Sequence, residues 1–366
     1  MSLLENANTL SALLSKSQGW LQENGHSEAL NDLRKQSAIL ERAKSSLQLR
    51  PMFALFGPSQ VGKSYLASNA LSDGNESLEV LVGDEVIDFI EDINPAGGGT
   101  EATGVVTRFS INPPLVGDYC VKIKLLRLLD VISIVAEGYL TEVNQGETNE
   151  LEYHFNSQIS QLQIDSRKLS ENDIKDLENY LNTQFKDNYH ITMLSQNNFW
   201  EATVNSLGAI LSSTESIVNW FKILWKDDLH VTTMFTKLVQ ALEILNYSKD
   251  CTSKSELIKR DKGQLINVKS TLNFMGQYPD YPMPTNYQIE VDGNVITIEN
   301  TILAALTKEI ELNISKHLID KRSFLKNADL VDFPGARPSN RYPITDANNV
   351  TSLFIRGKIR YLFEIY

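Results

Sequence analysis

The sequence predicts an α/β fold, a sheet with helices on both faces, together with an N-terminal helical hairpin and a large, mostly helical insertion. Three observations predict it. Residues Gly57–Ser64 read Gly-Pro-Ser-Gln-Val-Gly-Lys-Ser, which fits the phosphate-binding pattern G-x-x-x-x-G-K-[ST]. That octapeptide stands between a short apolar run, Met52–Phe56, and a stretch Tyr65–Leu71 with apolar residues at helical spacing, so strand, loop and helix follow in order. Much later, Ala328–Gly335 is another apolar strand, and it ends in Asp332-Phe333-Pro334-Gly335. Together they read as the sheet of a P-loop NTPase.

The elements follow in chain order. Residues 1–50 form a helical hairpin: Leu3, Leu10, Leu13, Leu14, Trp20 and Leu21 repeat at helical spacing, Glu23–His26 breaks the run, and Leu33, Leu40 and Leu47 recur every seventh position. Pro51 ends the second helix. Ile93–Thr100 contains Pro95 and three consecutive glycines and reads as a flexible loop. It leads into a strand over Thr103–Ile111, and Tyr119–Leu126 alternates as a further strand. Residues 127–285 read as the helical insertion, with a capped helix at Ser170–Asp173. Gln288–Ile298 is a β-hairpin turning at Asp292-Gly293, followed by a helix over Thr301–Leu318. The P-loop domain thus comprises 51–126 and 286–366.

Composition narrows the class. The chain has 366 residues, 42% of them hydrophobic, enough for two or three domains with a substantial core. Its formal charge of −12 argues against non-specific binding to nucleic acid or an anionic membrane. Two distant cysteines and five scattered histidines give neither a disulfide framework nor a metal-ligand spacing, which suits a reducing, cytoplasmic setting. No secretory signal is present. The most apolar stretch, Leu125–Leu140, is interrupted by Arg127, Asp130 and Glu137.

The chemistry of the loop follows from its residue types. Gly57 and Gly62 admit backbone angles that other residues resist. Pro58, Ser59, Gln60 and Val61 complete the loop, whose backbone N–H groups, Pro58 having none, form an anion nest at a helix N-terminus. Lys63 reaches the β- and γ-phosphates and Ser64 offers its hydroxyl to Mg²⁺. Asp332, at a strand end, holds Mg²⁺ through water, and the Gly335 N–H senses the γ-phosphate. A Thr between these motifs must complete the metal site; Thr100, Thr103 and Thr107 all lie in the interval. Gln60 is a candidate to orient the attacking water. Arg108, Arg337 and Arg341 are candidates to neutralise charge, each against the plainer reading of a solvated arginine.

Gly104-Val105-Val106-Thr107-Arg108 resembles the switch I segment of dynamin-type GTPases, and Leu330-Val331-Asp332-Phe333-Pro334-Gly335 resembles their switch II. On that resemblance Thr107 is the metal-binding and catalytic threonine, on a mobile loop. The implied activity is Mg²⁺-dependent GTP hydrolysis, with a homodimer across the nucleotide face. The chain is also similar to the SrfC-like bacterial virulence factors, through Phe53–Ser64, Ile93–Phe109, Leu330–Arg337 and the tail Arg356–Phe363. That resemblance implies nucleotide binding and partner proteins encoded nearby.

Two departures qualify these resemblances. Thr107 and Asp332 are 225 positions apart, which requires the insertion. No [TN]-K-x-D guanine-reading motif follows Asp332, so the expectation is a C-terminally incomplete domain, with base choice (GTP or ATP) and any membrane contact carried by regions beyond this sequence. Alternatives from other classes are a P-loop ATPase or regulatory switch, and a non-catalytic scaffold that binds partners through the insertion.

Overall fold

The computed structural model describes residues 3–48, 50–58, 61–72, 77–94, 103–143, 164–335 and 347–366. The chain divides into two units, Met1–Arg50 with Thr148–Ile217, and Pro51–Glu147 with Val218–Tyr366.

The first unit is helical. The predicted hairpin is present as helices Leu3–Glu23 and Ser27–Gln48, turning at Asn24-Gly25 with Gly25 in the left-handed region (φ +74°). Leu30 and Ser37 are buried between the helices and Leu33 and Leu40 half-buried, while Leu47 is exposed, so the heptad spacing marks one face for only part of its length. Ser11 donates to Glu41 Oε1 across the pair, and Lys44 reaches both. The helix Glu171–Gln184 starts at the predicted capping box. The Asp173 N–H donates to Ser170 Oγ and the Ser170 N–H to Asp173 Oδ2. Its Glu171 pairs with Arg34 at 2.8 Å.

The second unit holds a ten-stranded mixed sheet. Its strands are β1 (Met52–Leu55), β2 (Glu79–Val82), β3 (Glu85–Asp88), β4 (Val106–Ser110), β5 (Val121–Leu125), β6 (Asp250–Ser253), β7 (Asn286–Val291), β8 (Asn294–Glu299), β9 (Thr307–Asn313) and β10 (Asp329–Asp332). The order is β1-β10-β4-β9-β5-β6-β7-β8, with β2 pairing β3 and β9 off this path. Only β1–β10 and β4–β9 are parallel. The Asp292-Gly293 turn of the β7–β8 hairpin has φ of +50° and +78°, as a two-residue hairpin turn requires.

Three expectations change. The segment Thr301–Leu318 is helical only to Leu306, and Thr307–Asn313 is β9, a strand between β4 and β5. Polar and apolar residues alternate from Glu309 to Asn313, the period of a strand, although Glu309 itself is buried. The stretch 127–285 is mostly helical as expected, with β6 as its one described strand, but its portions 127–147 and 218–285 belong to the unit that carries the sheet. β1 has the predicted apolar run, but among the described strands it pairs only with β10, and Phe53 is 56% exposed.

Both faces of the sheet are covered. On one lies the helix Lys63–Leu71. On the other, Val106, Val331 and Phe333 pack with Leu362 of the helix Ala347–Ile365. The recognised tail Arg356–Phe363 is where this long helix is fastened. Gly357 crosses Gly138 of the helix Leu128–Glu142 so closely that an added Cβ would stand 2.3 Å from Ile134 O. Around the crossing, Arg356 and Arg360 bind Glu142 at 2.9 and 2.7 Å, Arg360 binds Glu137 at 3.1 Å, and the Tyr361 hydroxyl donates to Asp130 at 2.7 Å. Lys358 is fully buried, and its ammonium donates to Ala304 O and Ala305 O, carbonyls at the end of the helix Asn300–Leu306. No described helix is long and apolar enough to cross a membrane.

Two outcomes test this fastening. Gly357→Ala overpacks the crossing and should lower unfolding free energy by about 3 kcal/mol in urea titrations. Burial depresses the Lys358 ammonium to about 7. The unfolded chain therefore holds that proton over a range where the fold does not, and wild-type stability gains as pH rises from about 7 to about 10. Lys358→Met should lack this gain, so its stability relative to wild type should fall as pH rises across that range.

Candidate functional site

The candidate site forms where β1 and β10 end and β4 begins, beside the loop helix. Because β10 lies between β1 and β4, its last residue Asp332 is opposite Leu55 on one side and Thr107 on the other. Side chains alternate across a strand, so Thr107 and Asp332 share the face that carries the loop helix, while Arg108 projects to the opposite face. Cross-strand partners of this kind hold their Cβ atoms about 5 Å apart.

The loop geometry is partly described: Ser59 and Gln60 lie outside the described residues, as do Thr100, Arg337 and Arg341. Gly62 is the N-cap of the helix and sits in the left-handed region (φ 87°, ψ 24°), where a side chain would be strained. It supplies no side-chain cap, so the first-turn N–H groups have no side-chain partner there. Lys63 folds over the start of the loop, donating to Pro58 O at 2.8 Å and Gly57 O at 3.2 Å. Val61 is exposed and makes no polar contact of its own. Ser64 Oγ donates to Asp332 Oδ2 at 2.5 Å, joining the loop to β10.

Three predicted metal-site residues, Ser64, Thr107 and Asp332, are therefore brought together. Asp332 and Thr107 are each 1% exposed, and Asp332 Oδ1 and Thr107 Oγ1 are buried with no hydrogen-bond partner among the described residues. Buried polar atoms are rarely left so, and a carboxylate and a hydroxyl oxygen on adjacent strands are donors that suit a hard cation. Burial pushes the Asp332 carboxyl up to about 6, against the Ser64 hydrogen bond and the Lys63 charge. Gly335 is buried just past β10.

Thr107 lies in the strand expected over Thr103–Ile111 and not on the mobile loop that the dynamin resemblance implies. Its backbone lies within β4, opposite Asp332 on one side and Ile310 on the other. The loop ends earlier: Thr103 bridges Asn267, and the Gly104 N–H donates to Ile266 O at 2.8 Å. Gly104 is required there because an added Cβ would approach Val268 Cα to 2.8 Å.

Arg108 is neither solvated nor at the site. It is 4% exposed on the far face, forked onto Glu309 at 2.9 and 3.0 Å and bound to Asp329 at 3.2 Å. Glu309 also accepts from Lys124 at 2.6 Å and from the Tyr366 hydroxyl at 2.7 Å. Burial alone would raise its pKa, but Arg108 and Lys124 outweigh burial and hold the carboxyl below its ordinary value. Sequence reading missed Glu309 because it lay inside a segment assigned to a helix.

The Asp332 carboxyl gives a test of this geometry. Its charge is penalised in the fold, so the native state keeps a proton that the unfolded chain releases between about pH 4 and 6, and stability falls across that window. Asp332→Asn should abolish the fall and raise unfolding free energy at pH 7.5 by about 2 kcal/mol in urea titrations. A destabilised variant at pH 7.5 would show that the carboxylate is well solvated in the fold.

No curated protein matches the chain. A family described as putative bacterial virulence factor matches residues 20–366, nearly the whole sequence. The chain belongs to that bacterial virulence factor family.

Proposed function

We propose that the chain binds a nucleoside triphosphate with Mg²⁺ at Gly57–Ser64 and hydrolyses it, GTP before ATP, as a dynamin-like P-loop protein. The observation that carries this reading is the meeting of Ser64, Thr107 and Asp332, with two buried oxygens unsatisfied. Hydroxyl and carboxylate oxygens are the donors a hard cation takes, and Mg²⁺ keeps several of its waters. Ser64, Thr107 and Asp332 fit that preference as direct or water-bridged ligands. When bound, the ion would neutralise charge on the β- and γ-phosphate oxygens.

The remaining work falls to this chain's own groups. The N–H groups of the loop from Gly57 to Ser64, Pro58 excepted, donate to the phosphate oxygens, and Lys63 exchanges the carbonyls of Gly57 and Pro58 for phosphate. Gly335 offers its N–H to the γ-phosphate, and Gln60 orients the attacking water. Rate enhancement would come from positioning and charge stabilisation rather than covalent catalysis. The order β1-β10-β4 supports this reading, because it delivers Asp332 to Ser64.

One observation favours a second reading. Thr107 is held within β4, which suits a protein that retains nucleotide without a moving switch.

Binding of fluorescent GTP and ATP, each with Mg²⁺ or with EDTA, tests the first reading. Wild type should bind in Mg²⁺ with preference for GTP, and Lys63→Ala should weaken binding at least about tenfold, the loss of one charge-assisted contact. Absence of binding to either nucleotide would sink the proposal. Binding without turnover would select the second reading.

A further inference from the structure

The helix that carries Lys63 and Ser64 is gripped at its other end. Arg322 donates from Nε to Ala70 O at 2.7 Å and from Nη2 to Ser72 O at 3.2 Å, the last carbonyls of Lys63–Leu71 and its cap. Helix ends leave such carbonyls without intrahelical partners, and a cation there also meets the negative end of the helix dipole. A guanidinium suits the task because its planar fork spans two acceptors, which a lysine ammonium does not match.

Both ends of the helix are thus held by one stretch of chain. Arg322 holds the C-terminal end, and Asp332, further along, holds Ser64 near the N-terminal end at 2.5 Å. That stretch is itself fixed to β1: the Asp329 N–H donates to Pro51 O at 2.9 Å, Phe324 stands edge-on to Phe53 at 5.3 Å, and Leu325 is buried. A nine-residue helix is about 13 Å long. Ala67, Ser68 and Leu71 are buried and hold it to the core, but apolar packing is non-directional; the directional contacts that fix its axial slide relative to β10 are those at its two ends.

We infer that Arg322 is a positioning residue: by anchoring the C-terminal end of the loop helix it sets the register in which Ser64 meets Asp332, and so the affinity of the site for Mg²⁺ and a nucleotide triphosphate. This rests on the proposed nucleotide reading. Arg322 touches neither phosphate nor metal and acts through the helix.

The experiment compares wild type with Arg322→Gln and Arg322→Lys by two readouts. The first is amide hydrogen exchange without nucleotide. Arg322→Gln should speed exchange in Tyr65–Ser72 and leave β4 and β10 unchanged. The second is the ratio of GTP affinity in Mg²⁺ to that in EDTA, with thermal melting as a check on folding. Arg322→Gln should lower this ratio about tenfold while changing the EDTA affinity less than about twofold, and Arg322→Lys should lie between.

A lowered melting temperature with an unchanged ratio would reduce Arg322 to a structural contact and overturn the inference. If Arg322→Gln does not fold, Arg322→Lys decides by the same ratio. A wild type that binds no nucleotide overturns the parent reading and this inference with it. A wild type that binds, beside an unaltered Arg322→Gln ratio, overturns this inference alone.

Discussion

The centre of the sheet depends on keeping one buried carboxylate charged. Glu309 sits on β9 at 1% exposure and accepts from Arg108 on β4, Lys124 on β5 and Tyr366 at the end of the long helix. Arg108 continues the chain of charges to Asp329 on β10. Four adjacent strands and one helix are thus tied to a single anion. A lone buried charge would cost several kcal/mol, and these partners offset that cost only in the one register that lets them all reach it. The network accordingly does more to specify how β10, β4, β9 and β5 align than to add stability.

That alignment reaches the opposite face through strand alternation. Fixing Arg108 toward Glu309 fixes Thr107 away from it, toward Asp332 and the loop helix. The two faces divide their duties: ionic registration and helix packing on one, and on the other the buried Thr107 and Asp332 oxygens beside the loop helix. The recognised tail Arg356–Phe363 belongs wholly to the first face. Its arginines pair with Glu137 and Glu142, its glycine permits a helix crossing, and its lysine caps a helix.

What was legible in the sequence had a local cause. The Asp-Gly hairpin, the Ser170 capping box and the break at Asn24-Gly25 all follow from residue types acting on their neighbours. That Ser64 and Thr107 would lie beside Asp332 could be expected because each stands in a short sequence pattern. What was illegible had a distant cause. β9 reads like a continuation of the helix before it, and only pairing with β4 and β5 makes Thr307–Asn313 extended. The same holds for β6, and for Arg108, whose burial is set by Glu309 some 200 positions away. Arg322 carries no motif, since its acceptors are backbone carbonyls that any sequence would supply.

The place of β10 also governs the order of assembly. β1 and β4 never touch in the finished sheet; they are joined by a strand that is made much later in the chain. Until Asp329–Asp332 arrives, the loop strand lacks its described neighbour and Thr107 lacks the carboxylate opposite it. The closure of this part of the sheet is therefore a long-range event, slow by the rule that distant contacts must first overcome loop-closure entropy. A ribosome would have released most of the sheet-bearing unit before the candidate site existed, so the early chain can neither bind through that site nor be stabilised by it.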